Sequence, residues 1–195
     1  DLSAFYFDIR KDILYCDELN SPNRQICTNL LALTLDILLK WFAPILSFTT
    51  EEIFQILNKE KKTSIHLEKF PSIPKEWENQ KIFEKWEKLK IIRNVTNAAI
   101  EVKRSNKDIG SSLEADIEVY LGEHYLKLTK DINLSEFFIT SHAKAKSMVN
   151  SDKFFKIEGI DDIAVSVKKA EGEKCSRCWK ILGNPCERCG SVLKS

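Results

Sequence analysis

Two C-x-x-C pairs lie near the end of the chain, Cys175-Ser176-Arg177-Cys178 and Cys186-Glu187-Arg188-Cys189, separated by the seven residues from Trp179 to Pro185. Each such turn aims two thiolates at one point, and two turns complete the tetrahedron that zinc prefers, with Zn–S near ~2.3 Å. Four protein ligands leave no position open for water, so the ion would be structural and not catalytic. A tail this short cannot bury its own core, so one metal ion per chain would supply most of its folding free energy, on the order of 10 kcal/mol or more. Redox-active or disulfide-bonded cysteines are the competing reading. An iron–sulfur cluster also takes four thiolates, but the usual clustered spacing is missing. The spacing favours a metal and a reducing compartment over a secreted disulfide framework. The other two of the six cysteines, Cys16 and Cys27, fall on apolar helix faces and read as small buried hydrophobes.

Upstream, the apolar pattern is helical. Leu2, Phe5, Ile9, Ile13 and Cys16 recur at three- and four-residue steps. Ser21-Pro22 is a helix start, and Ile26, Leu30, Leu33, Ile37 and Trp41 continue the step until Pro44 stops it. Leu31, Leu35, Leu38 and Leu39 widen that face, which predicts a helix in the middle of a bundle with Trp41 in the core. Asn29, Asp36 and Lys40 break the run, so no membrane span is expected. Thr49-Thr50-Glu51-Glu52 reads as a capping box opening a short helix through Leu57. Residues 59–74 look like a connector, and a long helix is expected from about Glu76 to Lys107. On its wheel Ile91, Ile92, Val95, Ala98, Ala99 and Val102 share one side, with Arg93, Asn97, Arg104 and Lys107 roughly opposite.

Beyond Gly110 the period shortens to two. Asp116–Leu121, Phe137–Thr140 and Ile163–Val167 read as β segments, with a short helix between Leu126 and Leu134. The expected fold is therefore mainly α: a helical-bundle domain over 1–107, a small α+β unit over 108–169 and a four-cysteine zinc knuckle over 170–195. Trp77 and Trp86 are expected at an interface or in the core of the long helix. His66, His124 and His142 are scattered without ligand spacing.

Thirty Lys+Arg nearly cancel 29 Asp+Glu, but the distribution is polar. Residues 75–107 hold nine basic and five acidic side chains, whereas residues 1–60 hold five basic and nine acidic. The basic face of the long helix is either an ordinary solvated surface or a phosphate-binding one, with Arg93, Arg104 and Lys107 as sequence-independent contacts. In the tail, Arg177 and Arg188 occupy the same place in each knuckle. They either compensate the charge of the thiolates or reach phosphates. Trp179, beside Lys180, either packs over the knuckle or offers an indole on which an unpaired base can stack.

These residues resemble a known family. Leu2-Ser3-Ala4-Phe5-Tyr6-Phe7-Asp8-Ile9-Arg10-Lys11-Asp12 and Tyr15-Cys16 look like the start of the anticodon-binding domain of bacterial isoleucyl-tRNA synthetases. So does Trp41-Phe42-Ala43-Pro44-Ile45-Leu46-Ser47-Phe48-Thr49-Thr50-Glu51-Glu52-Ile53, a block shared with the valine and leucine enzymes. Ile109-Gly110-Ser111-Ser112-Leu113-Glu114-Ala115 and Ala170-Glu171-Gly172-Glu173-Lys174-Cys175, with the zinc ligands, point to the isoleucine enzyme. The inter-knuckle segment is shorter than in many members.

The resemblance implies a C-terminal, tRNA-binding part of a cytoplasmic, monomeric class I ligase that as a whole attaches isoleucine to tRNA(Ile) with ATP. ATP would be used only in a catalytic part outside this chain, since His-x-Gly-His and Lys-Met-Ser-Lys-Ser are both absent here. The chain alone is then expected to be inert, gripping the anticodon stem-loop for the upstream domains. Two other readings stand beside this one. Formamidopyrimidine-type DNA glycosylases carry a similar zinc tail, but they need an N-terminal proline and this chain begins Asp-Leu-Ser. A protein-docking zinc ribbon is the third.

Overall fold

In the computed structural model, which describes residues 2–59, 63–149 and 153–194, wide π-type turns at Leu2–Phe7 run into α1 (Asp8–Cys16). Then follow α2 (Pro22–Phe42), α3 (Ser47–Leu57), α4 (Gln80–Ser105), β1 (Ala115–Leu121), α5 (Glu123–Leu128), α6 (Leu134–Phe137), β2 (His142–Ser147), β3 (Phe155–Ile157), β4 (Ile160–Lys169), β5 (Glu173–Lys174), β6 (Ile181–Leu182) and α7 (Glu187–Lys194). Two compact units result, one of Asp1–Glu18 with Asn79–Ser195, the other of Leu19–Glu78. The divisions therefore fall elsewhere than at 107 and 169. Ile9, Ile13 and Cys16 give α1 a buried face within the first unit, and periodicity cannot say which partner such a face will find.

The first unit is built on α4 and a four-stranded sheet of order β2-β1-β4-β3. Asn79 caps α4 by accepting a hydrogen bond from the Ile82 amide. Strands β1 and β2 pair in parallel, and α5 and α6 supply the crossover such a pair requires. Strand β4 runs antiparallel between β1 and β3. Ile117, Val119, Leu121, Ile163 and Val165 pack with Leu89, Ile92, Val95, Ala99 and Ile100 of α4 and with Phe137 and Phe138 in one core. Trp86 is half-buried there, its ring 6.0 Å from those of Phe5 and Phe137.

Two expectations for this unit need correcting. Phe137–Thr140 is not a strand: Asn133 caps α6 through its side chain, and both phenylalanines end in the core as helical and turn residues. Arg93 does not lie opposite the apolar side of α4. It shares the buried face with Leu89, Ile92 and Thr96, whereas Ile91 and Val102 are exposed. The 3.6-residue period leaves flanking positions ambiguous, and the sheet selects a face rotated from the most apolar one.

In the second unit α2 and α3 pack around Leu39, Ala43, Phe54 and Ile65. The Thr49 capping box does not form, because α3 starts two residues earlier, at Ser47. Thr50 instead donates to the Leu46 and Ser47 carbonyls, and Glu51 accepts from Ser64 and the Ile65 amide. Residues 60–62 of the expected connector lie outside the described residues. The expectation that α2 is buried on most sides is also corrected: only Cys27 and Leu39 are buried, and Trp41 is 48% exposed. Among the described residues of this unit α2 packs chiefly on α3 and on the short turn Ile65–Leu67, too little surface to cover it. By length and composition α2 could cross a membrane, although it carries an Asp36–Lys40 ion pair at 2.8 Å.

Candidate metal centre and the surface around it

Strands β5 and β6 form a minimal hairpin, with Glu173 opposite Leu182 and Lys174 opposite Ile181. Gly172 opens it at φ +128°, and a Cβ there would stand 2.1 Å from the Leu182 carbonyl oxygen. No residue with a side chain fits. The Cys175 amide donates to the Lys180 carbonyl at 2.9 Å and the Trp179 amide to the Cys175 carbonyl at 3.0 Å, which folds the first knuckle. The second knuckle is the entry to α7, where the Gly190 amide donates to the Cys186 carbonyl at 2.8 Å.

These turns bring the Sγ atoms of Cys175, Cys178, Cys186 and Cys189 within 4.8 Å of one another, with Cys178 and Cys186 3.9 Å apart. A tetrahedron with Zn–S near ~2.3 Å has edges of ~3.8 Å, so one ion fits after contraction of the wider separations. The four thiols could hold a metal ion, and they are the only such group found among the described residues. A backbone hydrogen bond from Cys178 holds the Cys175 thiol down to about 7. Burial pushes Cys178 up, and Cys189 up to about 12.

The knuckles do not stand alone. Cys16 of α1 packs directly on Cys178 and Cys189 in one buried cluster. Arg188 donates to both carboxylate oxygens of Asp12, at 2.7 and 2.9 Å, and to Asp17 at 3.2 Å. Arg177 donates to the backbone carbonyls of Cys16 and of Tyr15, the latter at 2.9 Å. Burial works to raise the Asp12 pKa, but the Arg188 bond and the charges of Lys180 and Arg188 outweigh it and hold the carboxyl below its ordinary value. The Ser141 hydroxyl accepts from the Ile181 amide at 2.6 Å, which ties β6 to the residue just before β2.

The seven side chains expected to face RNA thus separate into two groups. Arg177 and Arg188 are spent on α1, Lys180 is 15% exposed with Asp12 3.8 Å away, and Arg93 is 7% exposed. Arg93 donates to the Phe137 carbonyl, pairs with Asp8 at 3.5 Å and lies over the rings of Phe5 and Phe137. Such a guanidinium holds α1 to α4 and does not present itself to a phosphate. Trp179, Arg104 and Lys107 do face solvent. Trp179 is 59% exposed, and Arg104 has Glu101 at 2.7 Å. Cys16 is buried, as its place on an apolar helix face implied, whereas the roles of Asp12 and Asp17 leave no local signal, because their partner Arg188 lies more than 160 residues away.

Residues 1–121 match the anticodon-binding domain of tRNA ligase, and the chain belongs to that family. Over 188 residues, 96% of this chain, it is 47% identical to isoleucine--tRNA ligase of Pelagibacter ubique (strain HTCC1062), of which this covers 20%. It is 41% identical over 182 residues to isoleucine--tRNA ligase of Bradyrhizobium diazoefficiens, covering 93% of this chain and 18% of that protein. The corresponding enzyme of Rhodopseudomonas palustris is 39% identical over 188 residues, 94% of this chain and 19% of its own length. The chain spans about a fifth of these relatives, corresponding to their C-terminal part.

Proposed function

We propose that this chain is the part of an isoleucine--tRNA ligase that grips the anticodon stem-loop of tRNA(Ile), with one structural zinc ion on Cys175, Cys178, Cys186 and Cys189. One observation carries the reading: the anticodon-binding match is continuous from α1 to β1, and the cysteine cluster packs on that same α1. Zinc fits the donor set, since four thiolates with no open position suit a structural tetrahedral ion. Arg104 and Lys107 supply phosphate contacts, and Trp179 stacks on an unpaired base of the anticodon loop. Isoleucine activation with ATP belongs to parts of the longer enzyme outside this chain. The full enzyme works in the cytoplasm as a monomer, and this part serves it by orienting the tRNA.

The test is tRNA affinity, measured at several salt concentrations for tRNA(Ile) and for a tRNA of different anticodon. Tighter binding of tRNA(Ile), with a steep salt dependence, is the expected result. Equal affinity for both would remove anticodon recognition. Metal content by elemental analysis, expected at one zinc per chain, tests the ion.

A further inference from the structure

The two edges of the four-stranded sheet differ. Strand β3 closes one edge with three residues and a shift of register against β4, and short or irregular strands are a usual way of blunting an edge. Strand β2 forms the other edge with six residues, paired to β1 without a shift. A strand paired on one side turns alternate amides and carbonyls outward. Among the described residues, the backbone of residues 143–147 has no partner other than β1.

A hollow of about 490 Å³ runs along that edge, within the range of ligand sites. Ala143, Lys144, Ala145 and Lys146 all line it. Side chains alternate across a strand: the two alanines are level with the buried Ile117 and Val119, the two lysines with Glu118 and Tyr120 on the other face. Four consecutive residues share one hollow because the edge of the strand faces it. The opposite wall is the end of α5 and the turn into α6, with Leu126 and Ile132. A groove between a free strand edge and a helix is the geometry that receives an extended peptide as an added strand.

The lining also states the charge of the occupant. It holds Lys130, Lys144 and Lys146 and no carboxylate. Lys146 is drawn onto the outer face by Glu118 at 2.6 Å. Lys130 and Lys144 are exposed, and among the described residues neither has an ion-pair partner. A second copy does not fit, because two β2 edges would set these lysines against one another, and like charges facing across a sheet destabilise it. A phosphate answers the lysines and the amides but leaves the outward carbonyls without a donor. An extended acidic chain answers all three.

We infer that the edge of β2 takes an extended segment of another protein as a fifth strand. Its carboxylates fall at alternate positions level with Lys144, and its apolar side chains turn toward Leu126 and Ile132. Backbone hydrogen bonds supply the affinity, and the lysines select the partner.

The probe is a fluorescein-labelled peptide of alternating valine and glutamate, titrated against the full chain and read by anisotropy and amide hydrogen exchange. Saturable binding with Kd below about 1 mM is expected, with exchange slowed in β2. A valine–lysine peptide binds at least about fivefold more weakly. N-methylation of the valine amides or of the glutamate amides abolishes binding in one case and spares it in the other, since an added strand bonds through alternate residues. Lys130→Glu combined with Lys144→Glu weakens the glutamate peptide about 5- to 30-fold and favours the lysine peptide. No binding, slowed exchange only outside β2, or equal effects of the two N-methylations overturns the inference. An anticodon stem-loop that displaces the peptide and itself slows exchange in β2 also overturns it, giving the edge to RNA. Binding to this chain but not to a longer ligase containing it does the same, giving the edge to that enzyme's own chain.

Discussion

Arg188 grips Asp12 through two parallel hydrogen bonds, 2.7 and 2.9 Å long, joining the second knuckle to the first helix across 176 residues of sequence. Bidentate charge-assisted pairs are among the stronger polar contacts in proteins, and this one is largely shielded from water. Asp12→Ala leaves the guanidinium without its main partner, with Asp17 at 3.2 Å as partial compensation. The expected loss is about 1.5–3 kcal/mol of unfolding free energy, read from urea denaturation. Metal stoichiometry should stay at one, because no thiol is touched. Loss of the metal together with the stability would mean that the knuckle cannot close without α1.

Gly172 makes a separate prediction. Its substitution by alanine meets a carbonyl oxygen at 2.1 Å and a positive φ together, whereas a Cβ added at Gly159, at φ +83°, meets nothing within 4 Å. Gly159→Ala should therefore cost only the conformational term, about 1–2 kcal/mol. Gly172→Ala should prevent the β5–β6 hairpin from closing and lower metal content well below one per chain. Equal effects of the two would show that the hairpin yields freely.

How far these features could be read in advance follows from their range. The cysteine cluster was legible because its ligands are close in sequence and their spacing is set by local turns. Helix α4 was legible in its length though not in which face it buries, and strand β1 was legible because its apolar residues alternate. Strand β2 was not, since His142-Ala143-Lys144-Ala145-Lys146 has only alanines on its inner side. It is a strand because β1 offers it a parallel partner. Arg93 misled the reading for a related reason, since a charged side chain reads as surface until a carboxylate or carbonyl from a distant element meets it; Arg188, whose two readings the sequence left open, meets its carboxylate in the same way. The exposed apolar face of α2 misled it in the other direction, since the amphipathic pattern records a need for burial and not the partner that meets it.

Metal affinity should fall as pH falls, and faster below about 7. Zinc requires thiolates, so each thiol protonated at the working pH contributes one competing proton. Cys189, at about 12, competes throughout the neutral range, and Cys178 is raised in the same direction by burial. Cys175, at about 7, adds its proton only below that value. A chelator competition from about pH 6 to 8.5 should show the slope of log affinity against pH steepening by about one proton below pH ~7. A constant slope would remove the special status of Cys175.

Arg93 and Arg104 sit on one helix and should fail in opposite ways. Arg93 is buried, hydrogen-bonded to a core carbonyl and paired with Asp8, so Arg93→Ala leaves polar groups unmet and opens a cavity beneath α1. About 3 kcal/mol of stability should be lost, and any drop in RNA affinity should follow the unfolded fraction and leave the salt dependence alone. Arg104 is exposed, and its contact with Glu101 is a surface pair worth little. Arg104→Ala should leave unfolding within about 0.5 kcal/mol of the parent. If Arg104 meets a phosphate, its loss weakens every tRNA alike and flattens the slope of log affinity against log salt by about one unit. An unchanged slope for Arg104→Ala, with Arg93→Ala behaving as described, would move the phosphate track off this end of α4 and leave the RNA surface to the knuckle.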